Sequence, residues 1–136
     1  MQVALGLDVG EKRIGVAWGD SQVKIATPHG YLDMNDTAVI EIEKLIDKFN
    51  ATVLVVGLPR NASGQETQQS GYVRDFVEQL RPLGLDIVLQ DESLTSVEAE
   101  KILSRQGHTP NIRQKGSIDA VAASLILSDY LEANFG

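Results

Sequence analysis

Three carboxylates stand in this sequence where the neighbouring residues are apolar or small. Asp8 and Glu92 each end a largely apolar run, and Asp119 lies within the apolar stretch 118–127. Burying one unpaired carboxylate is costly, and placing three close together adds their mutual repulsion. Divalent cations remove both costs. The pattern therefore predicts a metal site built from the carboxylate oxygens of Asp8, Glu92 and Asp119.

The chemistry expected of such a site is metal-assisted hydrolysis of a phosphodiester bond. The chain has no cysteine and two histidines, so its carboxylates favour Mg²⁺ or Mn²⁺ over zinc. Two such ions, one activating the attacking water and one stabilising the leaving oxygen, remove the need for a protein nucleophile. The cations and hydroxyls predicted to bind substrate phosphates are Lys12, Arg13, Arg60, Ser93, Thr95, Arg113 and Lys115.

Each of the three acids also has an ordinary structural interpretation. Asp8 could initiate a turn, and Asp119 near a helix start would interact favourably with the helix dipole. Glu92 could be a solvated charge at the end of a strand. Such roles do not explain why all three acids should converge on one edge of one sheet, so a shared metal site is the preferred interpretation.

Composition limits the classes of protein to consider. The 136 residues favour a single domain spanning 1–136, and 43% hydrophobic residues suffice for an ordinary core. The absence of cysteine is typical of a cytoplasmic protein, and neither a secretion signal nor a membrane span is evident. A net charge of −7 disfavours a bulk nucleic-acid binder, so any attraction for phosphate must come from local cations.

Apolar runs and turn residues predict a mixed sheet. Strands are expected at 3–8, 13–18, 24–32, 52–58 and 85–91. The short connections between the first three predict an antiparallel meander, and helical connections between the others predict parallel strands. The expected fold is α/β, with a five-stranded sheet of order 3-2-1-4-5. Ligand sites in such sheets lie beyond the carboxyl ends of the strands, where Asp8 and Glu92 fall.

Helices on both faces of this sheet complete the predicted fold. Amphipathic spacing and capping residues predict helices at 36–49, 66–80, 95–105 and 117–134. Asp36 is the expected N-cap of the first helix and Ser117 that of the last, preceded by a polar loop at 108–116. Small residues around Asp119, including Ala122 and Ala123, predict that the last helix approaches the sheet closely.

Four ordered segments resemble one family, the YqgF/RuvX family, over nearly the whole chain. They are 7–17 (LDVGEKRIGVA), 57–59 (GLP), 91–96 (DESLTS) and 119–127 (DAVAASLIL). The resemblance implies an RNase H-like fold and a metal-dependent nuclease, either Holliday-junction resolvase-like or processing the 5′ end of pre-16S rRNA. It places the family's acidic triad on Asp8, Glu92 and Asp119. Ser93 stands where the family usually has Arg, which removes a bidentate phosphate donor.

Two other functions remain open at this point. One is a non-catalytic nucleic-acid- or ribosome-binding module, which the net negative charge and the replacement of the family's Arg by Ser93 would allow. Such a module would not need three carboxylates that repel phosphate. An ATP-binding actin-like protein shares the Asp-x-Gly turn after its first strand, although such proteins need two domains of this kind. A homodimer would favour junction resolution, which requires two active sites, whereas trimming of RNA requires one.

Overall fold

The computed structural model describes residues 2–91 and 112–135. Within these residues five strands form one sheet, and their bounds are β1 Val3–Val9, β2 Arg13–Asp20, β3 Thr27–Asp33, β4 Val53–Leu58 and β5 Asp86–Asp91. The helices are α1 Ala38–Phe49, α2 Gln68–Leu80 and α3 Ile112–Phe135, with a short 3₁₀ turn at Arg81–Leu83. No helix in these ranges is long and apolar enough to cross a membrane.

The sheet has the predicted order β3-β2-β1-β4-β5, with β1 at its centre. β1 pairs antiparallel with β2, and β2 antiparallel with β3, through short hairpin connections. β1 pairs parallel with β4, and β4 parallel with β5, because α1 and α2 carry the chain back between them. The mixed topology expected from the sequence is confirmed, and the carboxyl ends of β1, β4 and β5 meet at one edge.

Each face of the sheet carries its own apolar cluster, so helices cover both faces as predicted. Leu5, Leu7 and Val9 point to the face covered by α1 and α2. Ala4 points to the opposite face, where Ala123 and Leu127 of α3 pack. This alternation follows from the two-residue period of a strand. It explains why β1 is apolar at nearly every position until Asp8.

α3 lies so close to the sheet that glycine is required beneath it. A Cβ at Gly6 would come within 2.8 Å of the backbone oxygen of Ala123 and the Cβ of Leu127. A Cβ at Gly15 would overlap the backbone oxygen of Asp119. The two glycines therefore fix the distance between helix and sheet on this face, and the small residues of α3 agree with the close approach predicted for it.

Several predicted element boundaries were wrong. α3 begins at Ile112 rather than at Ser117, so the predicted loop 108–116 is helical from residue 112 onward. A single glycine, Gly116, costs a helix about 1 kcal/mol and does not end it when the flanking residues favour helix. The predicted helix 95–105 lies outside the described residues.

α1 begins at Ala38, with Thr37 rather than Asp36 at its N-cap. The Oδ1 atom of Asn35 accepts hydrogen bonds from the backbone N–H and the hydroxyl of Thr37, at 2.9 and 2.7 Å. This side-chain turn places the N-cap one residue later than predicted. β3 likewise begins at Thr27 rather than at residue 24. The Oδ1 atom of Asp20 accepts from the N–H groups of Gln22 and Val23, which closes the preceding turn.

Replacing Gly15 with alanine is expected to destabilise the protein, because the added Cβ would overlap the backbone of Asp119. Overpacking of this kind costs roughly 1–3 kcal/mol and occasionally more. Gly71→Ala is the matched control, since a Cβ at this position of α2 meets nothing within 4 Å. It should stabilise by up to about 1 kcal/mol, because alanine is the better helix former. Denaturant unfolding measures both, and an unchanged unfolding free energy for Gly15→Ala would contradict the close approach.

Candidate metal and phosphate site

Asp8 lies at the carboxyl end of β1, on the face covered by α3. Its neighbours Leu7 and Val9 pack into the cluster under α1 and α2, so the side chain of Asp8 is directed to the other face. Asp8 is only partly buried, whereas Leu7 and Val9 are fully buried. The carboxylate predicted from the sequence as a metal ligand therefore stands at the accessible rim of the sheet.

Asp119 reaches the same place from α3. Asp8 is paired across the hairpin with Gly15, and the missing side chain of Gly15 leaves room for the backbone of Asp119. Two of the three predicted metal ligands are therefore neighbours of the same glycine. Strand pairing places Asp8, and helix packing places the backbone of Asp119, next to this glycine near the carboxyl end of β1.

Arg13 contacts one of these predicted ligands directly. Its Nε atom donates a hydrogen bond of 2.7 Å to Oδ2 of Asp119, and the two side chains are only 29% and 24% exposed. Arg13 was predicted to bind substrate phosphate, and the pairing with Asp119 was not anticipated. The contact gives this carboxylate a cationic partner, which reduces the cost of holding it partly buried.

A shallow cavity of about 320 Å³ opens beside this pair. It is lined by Gly10, Glu11, Lys12, Arg13 and Asp119. The turn that forms it is closed by a hydrogen bond from the backbone N–H of Gly10 to the backbone oxygen of Arg13, at 2.9 Å. Lys12, whose side chain is exposed, lies in this turn and lines the cavity. Its predicted role as a phosphate contact stays a prediction that this position favours.

Arg60 lies at the same edge, beyond β4, but it too is engaged. Its Nε atom donates to Oδ1 of Asp91 at 2.7 Å, and its Nη1 atom donates to the backbone oxygen of Gly64 at 3.1 Å. Asp91 is the last residue of β5 and directly precedes Glu92 in the sequence. Arg60 therefore connects the loop after β4 to the end of β5, a contact that the sequence did not predict.

The loop that carries Arg60 is tightly held. Within the loop, Oδ1 of Asn61 accepts hydrogen bonds from the backbone N–H groups of Ser63 and Gln65. At its end, Arg74 of α2 donates two hydrogen bonds to the carboxylate of Glu66, at 2.7 and 2.9 Å. The hydrogen bonding from Arg74 holds the pKa of Glu66 below its usual range. Loop and helix are thus fastened together beside the candidate site.

Gln69 is a residue of this edge that the sequence analysis missed. Its Nε2 atom donates to the backbone oxygen of Val9 at 3.1 Å, which ties the start of α2 to the end of β1. The contact joins residues 60 positions apart, so no local sequence pattern could predict it. It fixes the strand end that carries Asp8.

The remaining predicted site residues cannot be placed in the same way. Glu92, Ser93 and Thr95 lie outside the described residues. The backbone of Arg113 and Lys115 forms the start of α3. In the ranges 2–91 and 112–135, no group of three metal-ligating side chains is present.

The described part of the site fits a divalent cation by its donors. Asp8 and Asp119 both adjoin Gly15, and a methyl group at that position would overlap the backbone of Asp119. The donors are carboxylate oxygens, which are the ligands that Mg²⁺ and Mn²⁺ prefer. Asp8 and Asp119 are accordingly the residues available to hold such an ion.

The chain resembles known proteins along nearly its whole length. The family described as "RuvX: Holliday junction resolvase" matches residues 2–133. A relative from Chloroflexus aggregans, named "Putative pre-16S rRNA nuclease", is 41% identical over 135 residues, covering 97% of this chain and 94% of the relative. A relative of the same name from Thermus thermophilus is 40% identical over 130 residues, covering 92% and 93%.

A solved structure shares the fold at much lower sequence identity. The RuvC protein of T. thermophilus, in complex with a Holliday junction substrate, has a TM-score of 0.55 at 15% identity. The match covers 100% of this chain and 97% of that one. This likeness agrees with the RNase H-like architecture expected from the sequence.

The Arg13–Asp119 pair should contribute measurably to stability. A double-mutant cycle with Arg13→Gln and Asp119→Asn, in a buffer without divalent cations, is expected to give a coupling free energy of about 1 kcal/mol, at the upper end for partly exposed pairs. The matched control is the more exposed pair Arg81–Glu78, whose Nε–Oε2 distance of 2.8 Å is similar. Its coupling should be smaller. A coupling of zero for Arg13 and Asp119 would mean that they do not form the pair in solution.

Proposed function

The chain belongs to the RuvX family, and from that premise we propose that it is a Mg²⁺- or Mn²⁺-dependent endonuclease acting on structured nucleic acid. The observation that carries the proposal is that Asp8 and Asp119 both adjoin Gly15, Asp8 through strand pairing and Asp119 through the packing of its backbone. A binding module would gain nothing from two carboxylates at this point, since they repel phosphate. A nuclease that uses divalent cations requires them.

The catalytic set proposed here is Asp8, Glu92 and Asp119. Glu92 enters because it directly follows β5, whose carboxyl end lies at the same edge as that of β1. When bound, two divalent ions would supply activation of the attacking water and stabilisation of the leaving oxygen. The protein supplies the carboxylates that hold these ions, and the contact from Gln69 that keeps the end of β1 in place.

Arg13 has a second role in this proposal. Without a cation it neutralises Asp119, and with cations at the site its guanidinium becomes available to donate to a phosphate oxygen of the substrate. Lys12 at the mouth of the neighbouring cavity would contact a second phosphate. Ser93, Thr95, Arg113 and Lys115 remain proposed phosphate contacts on sequence grounds.

The preferred substrate is precursor ribosomal RNA. Relatives that are about 40% identical over nearly their whole length carry a name that refers to pre-16S rRNA. The second candidate is a four-way DNA junction, which the family description names. Junction resolution would require two active sites and hence a homodimer. Mn²⁺-dependent cleavage of a precursor rRNA fragment and of a four-way junction, measured side by side, tests the proposal and ranks the two substrates.

Asp8→Asn is expected to lower the cleavage rate about a hundredfold or more, as removal of a single electrostatic stabiliser from an active site does. The protein should remain folded, because Asp8 stands at the rim of the sheet and not in its core. Asp47→Asn on the exposed side of α1 is the matched control and should leave the rate unchanged. Chelation of divalent cations should abolish cleavage by the unsubstituted protein. Full activity of Asp8→Asn would refute the catalytic assignment.

Lys12→Ala should weaken nucleic-acid binding and reduce its salt dependence. Loss of one phosphate contact lowers the slope of log K against log [salt] by roughly 0.7–0.9. The control is Lys44→Ala, because Lys44 pairs with Glu41 on α1, away from the candidate site. Binding is measured across salt concentrations in the Asp8→Asn background. An unchanged slope for Lys12→Ala would place the phosphate path elsewhere.

A further inference from the structure

Arg13 lies beside two carboxylates that come from different elements. Its Nε atom donates to Oδ2 of Asp119 in α3 at 2.7 Å. The pairing register aligns Arg13 directly with Asp33, the last residue of β3. Asp33 is exposed and forms no ion pair with any residue in the described part of the chain. The fold and the proposed catalytic set leave this acid without a role.

The backbone hydrogen bonds bring Arg13 and Asp33 close together. The N–H group of Met34 donates to the backbone oxygen of Lys12 at 2.9 Å, one position beyond this pair. In an antiparallel ladder the next pair inward is then one whose two residues do not bond each other, and the Cα atoms of such a pair are only about 4.5 Å apart. Opposite charges at directly opposed positions attract each other. The guanidinium of Arg13 can therefore reach Asp33 from its own strand position.

Arg13 and Asp33 both lie on the face of the sheet that α3 covers. Their neighbours Ile14 and Leu32 form a cross-strand pair that packs in the cluster under α1 and α2. Strand alternation directs Arg13 and Asp33 to the opposite face, where Asp119 also lies. Rotation about the side-chain bonds of Arg13 can thus exchange one carboxylate for the other while the backbone stays in place.

A divalent cation at Asp119 would remove the partner that Arg13 has in the metal-free protein. It would occupy the carboxylate oxygens of Asp119, and it would repel the guanidinium because like charges at short range disfavour each other. The side chain of Arg13 is only 29% exposed, so leaving its charge without an acid would be costly. Asp33 offers that acid on the same face, one cross-strand step away.

We propose that Asp33 is a positioning residue, which receives Arg13 when a divalent cation binds Asp119. The inference rests on the proposed nuclease function and adds a residue to its site. A bidentate carboxylate engages two of the five N–H donors of a guanidinium, so Arg13 held by Asp33 keeps donors for a phosphate oxygen of the substrate. Asp33 thereby favours the metal-loaded site and holds the phosphate contact beside it.

The experiment measures the Mn²⁺ affinity of the full-length protein without substrate, from the electron paramagnetic resonance signal of free Mn²⁺. Asp33→Asn should weaken binding about twofold to fivefold, the factor that corresponds to one cross-strand charge pair. Arg13→Gln should strengthen binding, because it removes the cation that competes for Asp119. In the Arg13→Gln background, Asp33→Asn should have no further effect. Asp33→Glu keeps the charge and should retain most of the affinity.

Two controls separate this role from a general effect of charge or structure. Asp36→Asn removes the same charge from another exposed acid, which lines the groove between the start of α1 and α2, and should not change the Mn²⁺ affinity. Asp33→Asn should leave the metal-free unfolding free energy unchanged, since Arg13 then contacts Asp119. An equal loss of Mn²⁺ affinity from Asp33→Asn with and without Arg13 would overturn the proposal, because Asp33 would then attract the ion by its charge alone.

Cleavage of the precursor rRNA fragment and of the four-way junction is measured in parallel, so that failures can be told apart. Cleavage without any effect of Asp33→Asn on Mn²⁺ affinity would overturn the positioning role and leave the nuclease proposal standing. A Mn²⁺ affinity that depends on Asp33 only when Arg13 is present, without cleavage, would support the positioning role and overturn the nuclease. Absence of Mn²⁺ binding would overturn both.

Discussion

The close packing of α3 against the glycines of the sheet is the constraint on which the candidate site depends. Residues 119, 123, 127 and 131 follow one another at intervals of four along one side of α3, and they contact Gly15, Gly6 and Gly19 of β1 and β2. Any side chain at Gly15 would push the first part of the helix outward and carry Asp119 away from Asp8. The position of the Asp119 backbone relative to Asp8 thus depends on the absence of a side chain at Gly15. The contact that packs α3 on the sheet is consequently the one that positions this candidate ligand.

The charges at the candidate site do not follow the negative net charge of the chain, because cations lie among the acids at the carboxyl edge of the sheet. A chain of net charge −7 must attract a polyanion through a few well-placed cations. Arg13 and Arg60 are each held by an acid, Asp119 and Asp91, at 2.7 Å. Such pairs keep the cations at the carboxyl edge of the sheet while offsetting the repulsion between the acids. The cost of gathering carboxylates there is thereby reduced before any ion binds.

The sequence predicted what depends on local pattern and on topology. Alternation and turn residues were sufficient for the five strands and their order, and the two-residue period placed Asp8 at a strand end. Contacts between distant segments were not predictable: the Arg13–Asp119 pair joins residues 106 positions apart, and Gln69 reaches Val9 from another helix. The start of α3 was predicted wrongly because Gly116 and Ser117 have the residue types typical of a helix start. The helix nevertheless begins at Ile112, since packing against the sheet stabilises it.

The central claim is that Asp8 and Asp119 hold a divalent cation between β1 and α3. Paramagnetic broadening of backbone amide signals by Mn²⁺ at substoichiometric concentration tests it without substrate or turnover. The account predicts that the signals of Val9, Gly15 and Ala120 disappear first, and that Mg²⁺ in excess restores them. Broadening centred instead on the exposed acids of α1, such as Glu43 and Asp47, with the signal of Gly15 unaffected, would contradict it.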